Sequence, residues 1–153
     1  MIRIGIDPGT SGSLVVLANG VPIEWMLMPT MKVGSNTRVN GAEIAAFLRP
    51  FQGEPVYLEA VGIMPAQGAG SAFTFGHAAG VVQGVVTGMG CPLTLVSPQK
   101  WKKAAGLIGT DKDAARTRAI LRWPTWRELG AKAKGQAYAD AALIALHGEG
   151  AEA

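Results

Sequence analysis

The sequence predicts one α/β domain over residues 1–153, built on a five-stranded mixed sheet of three antiparallel strands followed by parallel additions, with helices on both faces. Three observations predict it. Short apolar runs separated by turn residues fill the first 27 positions, as in an antiparallel meander. Two later apolar runs, 56–59 and 93–96, each follow a segment with helical character, the arrangement that allows parallel pairing. A chain of this length is also long enough to bury a sizeable core, and 48% of it is apolar.

In order, residues 2–6 and 13–18 are apolar runs around a Pro8-Gly9-Thr10-Ser11-Gly12 turn. Asn19-Gly20 separates the second run from Val21 to Leu27, a strong two-residue hairpin signal. Residues 29–39 are polar and rich in Gly and Ser, and are expected to be a mobile loop. Asn40 is placed to cap a helix reaching Phe51, with Ile44, Phe47 and Leu48 on one side. Val56 to Glu59 is the next strand. A helix is expected from about Ser71, then a strand at Leu93 to Val96, then a helix opened by Ser97-Pro98. Thr110 or Asp111 caps a further helix ending at Trp123, before Pro124. A last helix runs from Gln136 to His147, and residues 148–153 are expected to fray.

From Ala60 to Gln99 there is no Asp, Glu, Lys or Arg, and Gly76, Gly80, Gly84 and Gly88 recur every four residues. On a helix these glycines share one stripe, which permits close backbone approach. A membrane span is one reading of such a stripe. His77, Gln83 and the glycines themselves make it a poor apolar span, and no positive flank precedes it. The preferred reading is a helix buried between its own sheet and a second subunit.

Charge is distributed unevenly. Residues 100–134 hold ten of the fourteen Lys and Arg against three of the eleven Asp and Glu, a net of +7; the remainder, with four bases and eight acids, carries −4. Such a basic stretch is the footprint of a polyanion-binding side. Its ordinary alternative is a solvated helical surface. Cys91 is the lone cysteine, so there is neither a disulfide framework nor zinc-ligand spacing, and it reads as a small buried side chain. With no basic segment followed by an apolar stretch at the N-terminus, the expected setting is the cytoplasm, and no membrane is expected as a partner.

Three acids stand apart. Asp7 ends the first apolar run, Glu59 ends Pro55-Val56-Tyr57-Leu58, and Asp140 lies in the otherwise small and apolar last helix. Adjacent central strands would set the first two side by side, and a helix packed on that sheet would bring in the third. Converging carboxylates do not all stay ionised without cations, so the set suggests Mg²⁺ or Mn²⁺. Each acid also has a plain reading: a turn aspartate, a strand-end glutamate, an acid on an exposed helix side. The Asp7-Pro8-Gly9-Thr10 turn is similar to the phosphate turn of actin-like sugar kinases, but this chain is too short for their second domain.

Several segments, in order, carry a wider resemblance: Ile4 to Thr10, Leu58 to Gly68, Ser71 to Gly76, Val96 to Lys103, Asp111 to Arg116 and Ala139 to Ala145. Together they resemble the RuvC-like Holliday-junction resolvases, of RNase H-like fold, and most of all their bacteriophage branch. The resemblance implies a homodimeric endodeoxyribonuclease in which Asp7, Glu59 and Asp140 hold two divalent cations. It implies paired nicks in a four-way junction, 5′-phosphate products and no nucleotide cofactor, in a bacterial host cytoplasm. Lys100, Lys102, Lys103, Lys112 and Arg116 would contact phosphates, with Phe73 as a group that opens the junction. Gly76, Gly80 and Gly84 would form the dimer seam. Trp101 and Trp123 are read as core rather than as stacking platforms.

Two departures from the family pattern stand out. A fourth acid is expected about one turn before the last, where this chain has Gln136 and Ala137. Asp111, Asp113, Glu128 and Glu149 are the substitutes available, none well placed in sequence. The aromatic wedge that follows the strand glutamate in cellular members is replaced by Gly62, so substrates extend to forks and flaps. These departures leave open a junction-binding protein that has lost catalysis, and more distantly a nucleotide-phosphate binder.

Overall fold

The three early apolar runs form the expected antiparallel strands: β1 (Ile2–Asp7), β2 (Ser13–Ala18) and β3 (Val21–Leu27). In the β2–β3 turn Asn19 and Gly20 both have positive φ, 51° and 77°, as a two-residue turn matched to strand twist requires. The chain, a computed structural model, is described over residues 1–62 and 67–153.

Residues 29–39 are not a mobile loop. They pair as β4 (Thr30–Val33) and β5 (Asn36–Val39), a separate two-stranded sheet. Val39 is buried, and Arg38 reaches the Thr74 hydroxyl of the long helix, so the hairpin is anchored at one end. Asn40 caps α1 (Gly41–Leu48) as expected, its side-chain oxygen accepting from the Ala42 and Glu43 backbone N–H groups. The last turn, through Phe51, tightens to a 3₁₀ helix containing Pro50.

β6 (Val56–Glu59) pairs parallel to β1, with Gly5 opposite Tyr57, and β7 (Leu93–Val96) pairs parallel to β6. The sheet order is β3-β2-β1-β6-β7, the predicted mixed arrangement. On one face lie α1 and α2 (Ala69–Gly88), packed over Ile4, Ile6, Leu14, Val56 and Leu58. On the other lie α3 (Pro98–Ala104), α4 (Ala114–Arg122) and α5 (Lys132–His147), over Val15, Leu17 and Tyr57. The period-two alternation of the central strands sorts their side chains between these two cores.

Three boundaries differ from expectation. α4 starts at Ala114, because Asp111 caps a turn, accepting from the Asp113 N–H, rather than the helix itself. α5 starts at Lys132, four residues early. The C-terminal residues do not fray: Ala151 is buried, and the tail bonds to the free edge of β7 (Ser97 N–H to Ala151 O, 2.9 Å; Ala153 N–H to Leu95 O, 2.8 Å). An edge strand leaves unpaired backbone groups, and the tail satisfies some of them. Among the described residues no helix is long and apolar enough to cross a membrane.

Gly5 decides how closely α5 sits on the sheet. A Cβ there would lie 1.9 Å from the Ala141 carbonyl oxygen and 2.6 Å from the Ala145 nitrogen, so the helix backbone rests on the strand. We predict that Gly5→Ala costs at least about 3 kcal/mol, because overpacking against backbone has no rotamer to relieve it. Urea denaturation of the two proteins measures this, and an unchanged midpoint would contradict the close contact.

Candidate active site

Gly5 and Asp7 lie two residues apart on β1 and face α5, and Tyr57 and Glu59 do the same on β6. The strand ends therefore present two acids toward the helix that carries Asp140. The turn after Asp7 is tight: Gly12 N–H bonds to Gly9 O at 2.8 Å, and a Cβ at Gly12 would lie 2.1 Å from the Asp7 carbonyl oxygen. Ser13, paired with Asp7 across the β1–β2 ladder, is fully buried and donates to the Ala137 carbonyl of α5 at 2.8 Å. That bond fixes the helix one turn before Asp140.

The three acids feel one another. Asp7 is pushed up to about 7, first by burial, then by the charges of Glu59 and Asp140; the Gly9 N–H and Lys102 pull the other way. Asp140 is pushed up to about 6, first by burial and then by Glu59, against a hydrogen bond from Gln136 and the charge of Lys102. Buried like charges at short range raise one another's pKa values. Among the described residues, no three His, Cys, Asp or Glu side chains are already closed around a point where an ion would sit.

The oxygen atoms near these acids nevertheless form a set of the kind a hard divalent cation takes. It consists of carboxylate oxygens together with Gln136 Oε1, which is buried and has no hydrogen-bond partner among the described residues. Gln136 Nε2 donates to Asp140 Oδ1 at 3.1 Å, which fixes the amide orientation and leaves that oxygen for another ligand. Gln136 and Asp140 share a pocket with Lys102, Thr110, Asp111 and Lys112. Of the substitutes for a fourth acid, Asp111 alone lines this pocket. Asp113 faces Lys132, and Glu149 pairs with Arg3.

The basic residues separate into two groups. Lys102, Lys103 and Lys112 are exposed, and Lys102 acts on both aspartates. Lys100 is exposed but donates to the Glu152 carbonyl at 2.6 Å. Arg116 departs from expectation: it turns inward, donates to the Leu129 carbonyl at 3.1 Å, and ties α4 to the turn before α5 instead of facing solvent. Phe73 is 62% exposed, with the Arg38 guanidinium 5.4 Å from its ring centre. Gly76, Gly80 and Gly84 are exposed, with open space where a Cβ would be, so among the described residues nothing packs against the stripe. His147 is shifted down by burial and by Arg118 and Arg122. Ile63, Met64, Pro65 and Ala66, inside the segment that follows Glu59, lie outside the described residues.

Sequence reasoning missed Trp101. It is buried, and its Nε1 donates to Glu59 Oε1 at 2.9 Å. Its signal was a tryptophan three residues after Pro98, in the first turn of the helix that follows the strand beside β6. Reading Trp101 as core was correct for the ring and omitted the N–H.

This whole arrangement aligns with known structures. Thermus thermophilus RuvC in complex with a Holliday junction substrate matches at TM-score 0.62 and 22% identity, covering 96% of this chain and 92% of that one. The T. thermophilus RuvC structure matches at TM-score 0.60 and 20% identity, covering 99% and 98%. The chain therefore has the RuvC fold. The five-stranded mixed sheet and its flanking helices are those expected from the sequence. The chain is also 32% identical over 123 residues to the chloroplastic Holliday junction resolvase MOC1 of Chlamydomonas reinhardtii. That match covers 77% of this chain but only 14% of the length of that relative. No protein-family model matches the chain.

The raised carboxylates make a pH prediction for the metal-free protein. Their folded pKa values, about 7 and about 6, exceed the ordinary 3.8, so the folded state binds more protons than the unfolded state in between. The associated stability is fully present below about pH 4 and is lost as pH rises through 6 to 7. Urea denaturation in EDTA should show that decline, and Asp7→Asn should flatten it. An equal slope in the variant would contradict the shift at Asp7.

Proposed function

We propose that this RuvC-like chain is a divalent-metal-dependent endodeoxyribonuclease that resolves four-way DNA junctions by paired nicks. The observation that carries the reading is the convergence of Asp7, Glu59 and Asp140 at the ends of β1 and β6 and on α5, within a RuvC fold. The name of the sequence relative points to the same substrate.

In this reading Asp7, Glu59 and Asp140 hold two Mg²⁺ or Mn²⁺ ions, and the Gln136 oxygen adds a neutral donor. Bound there, the ions would supply activation of a water and neutralisation of charge at the phosphate. With cations bound, the mutual repulsion of the carboxylates would be relieved and they would stay ionised as ligands. Lys102, at the pocket mouth, neutralises the entering phosphate, while Lys103 and Lys112 contact the backbone without reading sequence. Phe73, exposed beside Arg38, stacks on an opened base. The products carry 5′-phosphate and 3′-hydroxyl ends. Two copies joined along the open glycine stripe of α2 would match the two-fold symmetry of a junction, so that nicks fall on opposing strands. The phage-type resemblance of the sequence supports action in a bacterial cytoplasm.

The absence of a fourth acid at Gln136 and Ala137 favours one other reading, a binder of junctions that no longer cuts them. A labelled four-way junction incubated with Mg²⁺, with Mn²⁺ and with EDTA separates the two. We expect paired nicks with either metal, none with EDTA, and Asp7→Asn to lose at least about a thousandfold in rate while still shifting the junction in a gel, since removing a metal ligand removes several kcal/mol of transition-state stabilisation. Bound, uncut DNA under every metal would leave the binder; metal-dependent cutting by the variant would remove Asp7 from its role.

The phosphate contacts have a separate signature. Lys103→Ala and Lys112→Ala should each weaken junction binding and lower the slope of log K against log salt by about one. An unchanged slope would place the DNA on another face.

A further inference from the structure

We infer that Trp101 is a positioning residue: its indole N–H holds Glu59 in the orientation that receives a divalent cation. The inference rests on the proposed metal-dependent site and adds to it a residue outside the acidic set.

The geometry begins in the sheet. Glu59 pairs with Val96 across the parallel β6–β7 ladder, and α3 starts two residues after Val96, at Pro98. Proline at the first helical position fixes the turn, so Trp101 falls one turn into α3, over the end of β6. Its ring is 1% exposed and packs in the α5-side core with Val96, Leu107 and Ala142 among its cluster. A ring so confined has little freedom, and its single donor is aimed at Glu59 Oε1, 2.9 Å away. Indole is donor-only, so this bond is made to Oε1, and among the described residues no hydrogen bond is made to Oε2. A buried donor that lost this acceptor would be left unsatisfied, which holds the pair together from both sides. The next residue, Lys102, lies with its Nζ 5.4 Å from the centre of the same ring, and its charge acts on Asp7 and Asp140. One turn of α3 thus fixes the glutamate with a neutral group and places a cation at the aspartates. Side chains that orient metal ligands from behind set metal affinity without touching the ion.

Trp123 supplies a matched control. It is also a buried tryptophan whose Nε1 donates at 2.9 Å, but to the Gly20 carbonyl at the β2–β3 turn. The experiment titrates Mn²⁺ calorimetrically into the DNA-free wild-type chain, Trp101→Phe and Trp123→Phe, and records thermal midpoints in EDTA. Both variants should lower the midpoint. Trp101→Phe alone should weaken Mn²⁺ binding about tenfold or more, and should raise by a similar factor the Mn²⁺ needed for half-maximal cleavage while leaving junction binding in EDTA unchanged. Equal Mn²⁺ affinity in Trp101→Phe and wild type would overturn the inference and leave the metal site standing. Absence of Mn²⁺ binding by wild type would overturn both. Should Trp101→Phe fail to fold, the wild-type indole resonances decide: the Trp101 Nε1–H signal should move on Mg²⁺ saturation and that of Trp123 should not, and a Trp101 signal that stays in place would overturn the inference.

Discussion

The contact between Gly5 and the backbone of α5 governs the rest of the molecule. Helices that pack on sheets through side chains stand off by the thickness of those side chains. Here the Ala141 carbonyl and the Ala145 nitrogen occupy space that any Cβ on Gly5 would need. The helix is itself lined with Ala139, Ala141, Ala142 and Ala145 where it meets the strands, so both partners are trimmed at the seam. This closeness carries Asp140 down to the level of the strand ends. A more distant helix would leave Asp140 in solvent, with Asp7 and Glu59 as ordinary strand-end acids.

Bringing acids together under partial burial is unfavourable, and the structure shows what opposes that cost. The Gly9 N–H and Lys102 act on Asp7, Gln136 and Lys102 on Asp140, and the Trp101 indole on Glu59. These groups moderate the repulsion without cancelling it, since Asp7 and Asp140 remain well above the ordinary carboxylate range. A site left in this condition is matched to a cation, which relieves the repulsion and the desolvation together. Gln136 fits the same logic. In place of a further negative charge it brings one donor for Asp140 and one free oxygen, so the pocket carries less charge to be balanced.

The long uncharged stretch and the basic stretch have separate uses. α2 packs Ala78, Ala79, Val82 and Val86 on the sheet, while its glycines face outward with nothing against them among the described residues. Outward glycines weaken a helix and gain nothing from solvent, which gives physical content to a second surface resting on them. In the basic stretch, the count of ten cations overstates the exposed field. Arg116 is committed to Leu129, and Lys100 to the C-terminal tail. Lys102 and Lys112 remain exposed in the pocket that Asp140 lines, with Lys103 exposed next to Lys102 in the chain.

Local chemistry made much of this legible before any coordinates. The apolar runs at 2–6 and 13–18, the Asn19-Gly20 turn, the Asn40 cap and the Pro98 start are short-range signals, and each element appeared where they put it. Acids at the ends of two apolar runs were equally visible, because a carboxylate closing a buried strand has few other reasons to be there. The misreadings came where long-range contacts decide. Residues 29–39 look like a loop until Val39 is buried and Arg38 meets α2, and the tail looks free until the edge of β7 accepts it. By itself, then, the sequence determined the five strands of the main sheet, the Asn40 cap and the places of three acids at two strand ends and on the last helix, since these depend on local pattern and on neighbours in the chain. Only the tertiary structure decided that Gly5 admits α5, that Trp101 holds Glu59 and that Arg116 turns inward. Those depend on distances between residues tens of positions apart, which local propensity does not encode.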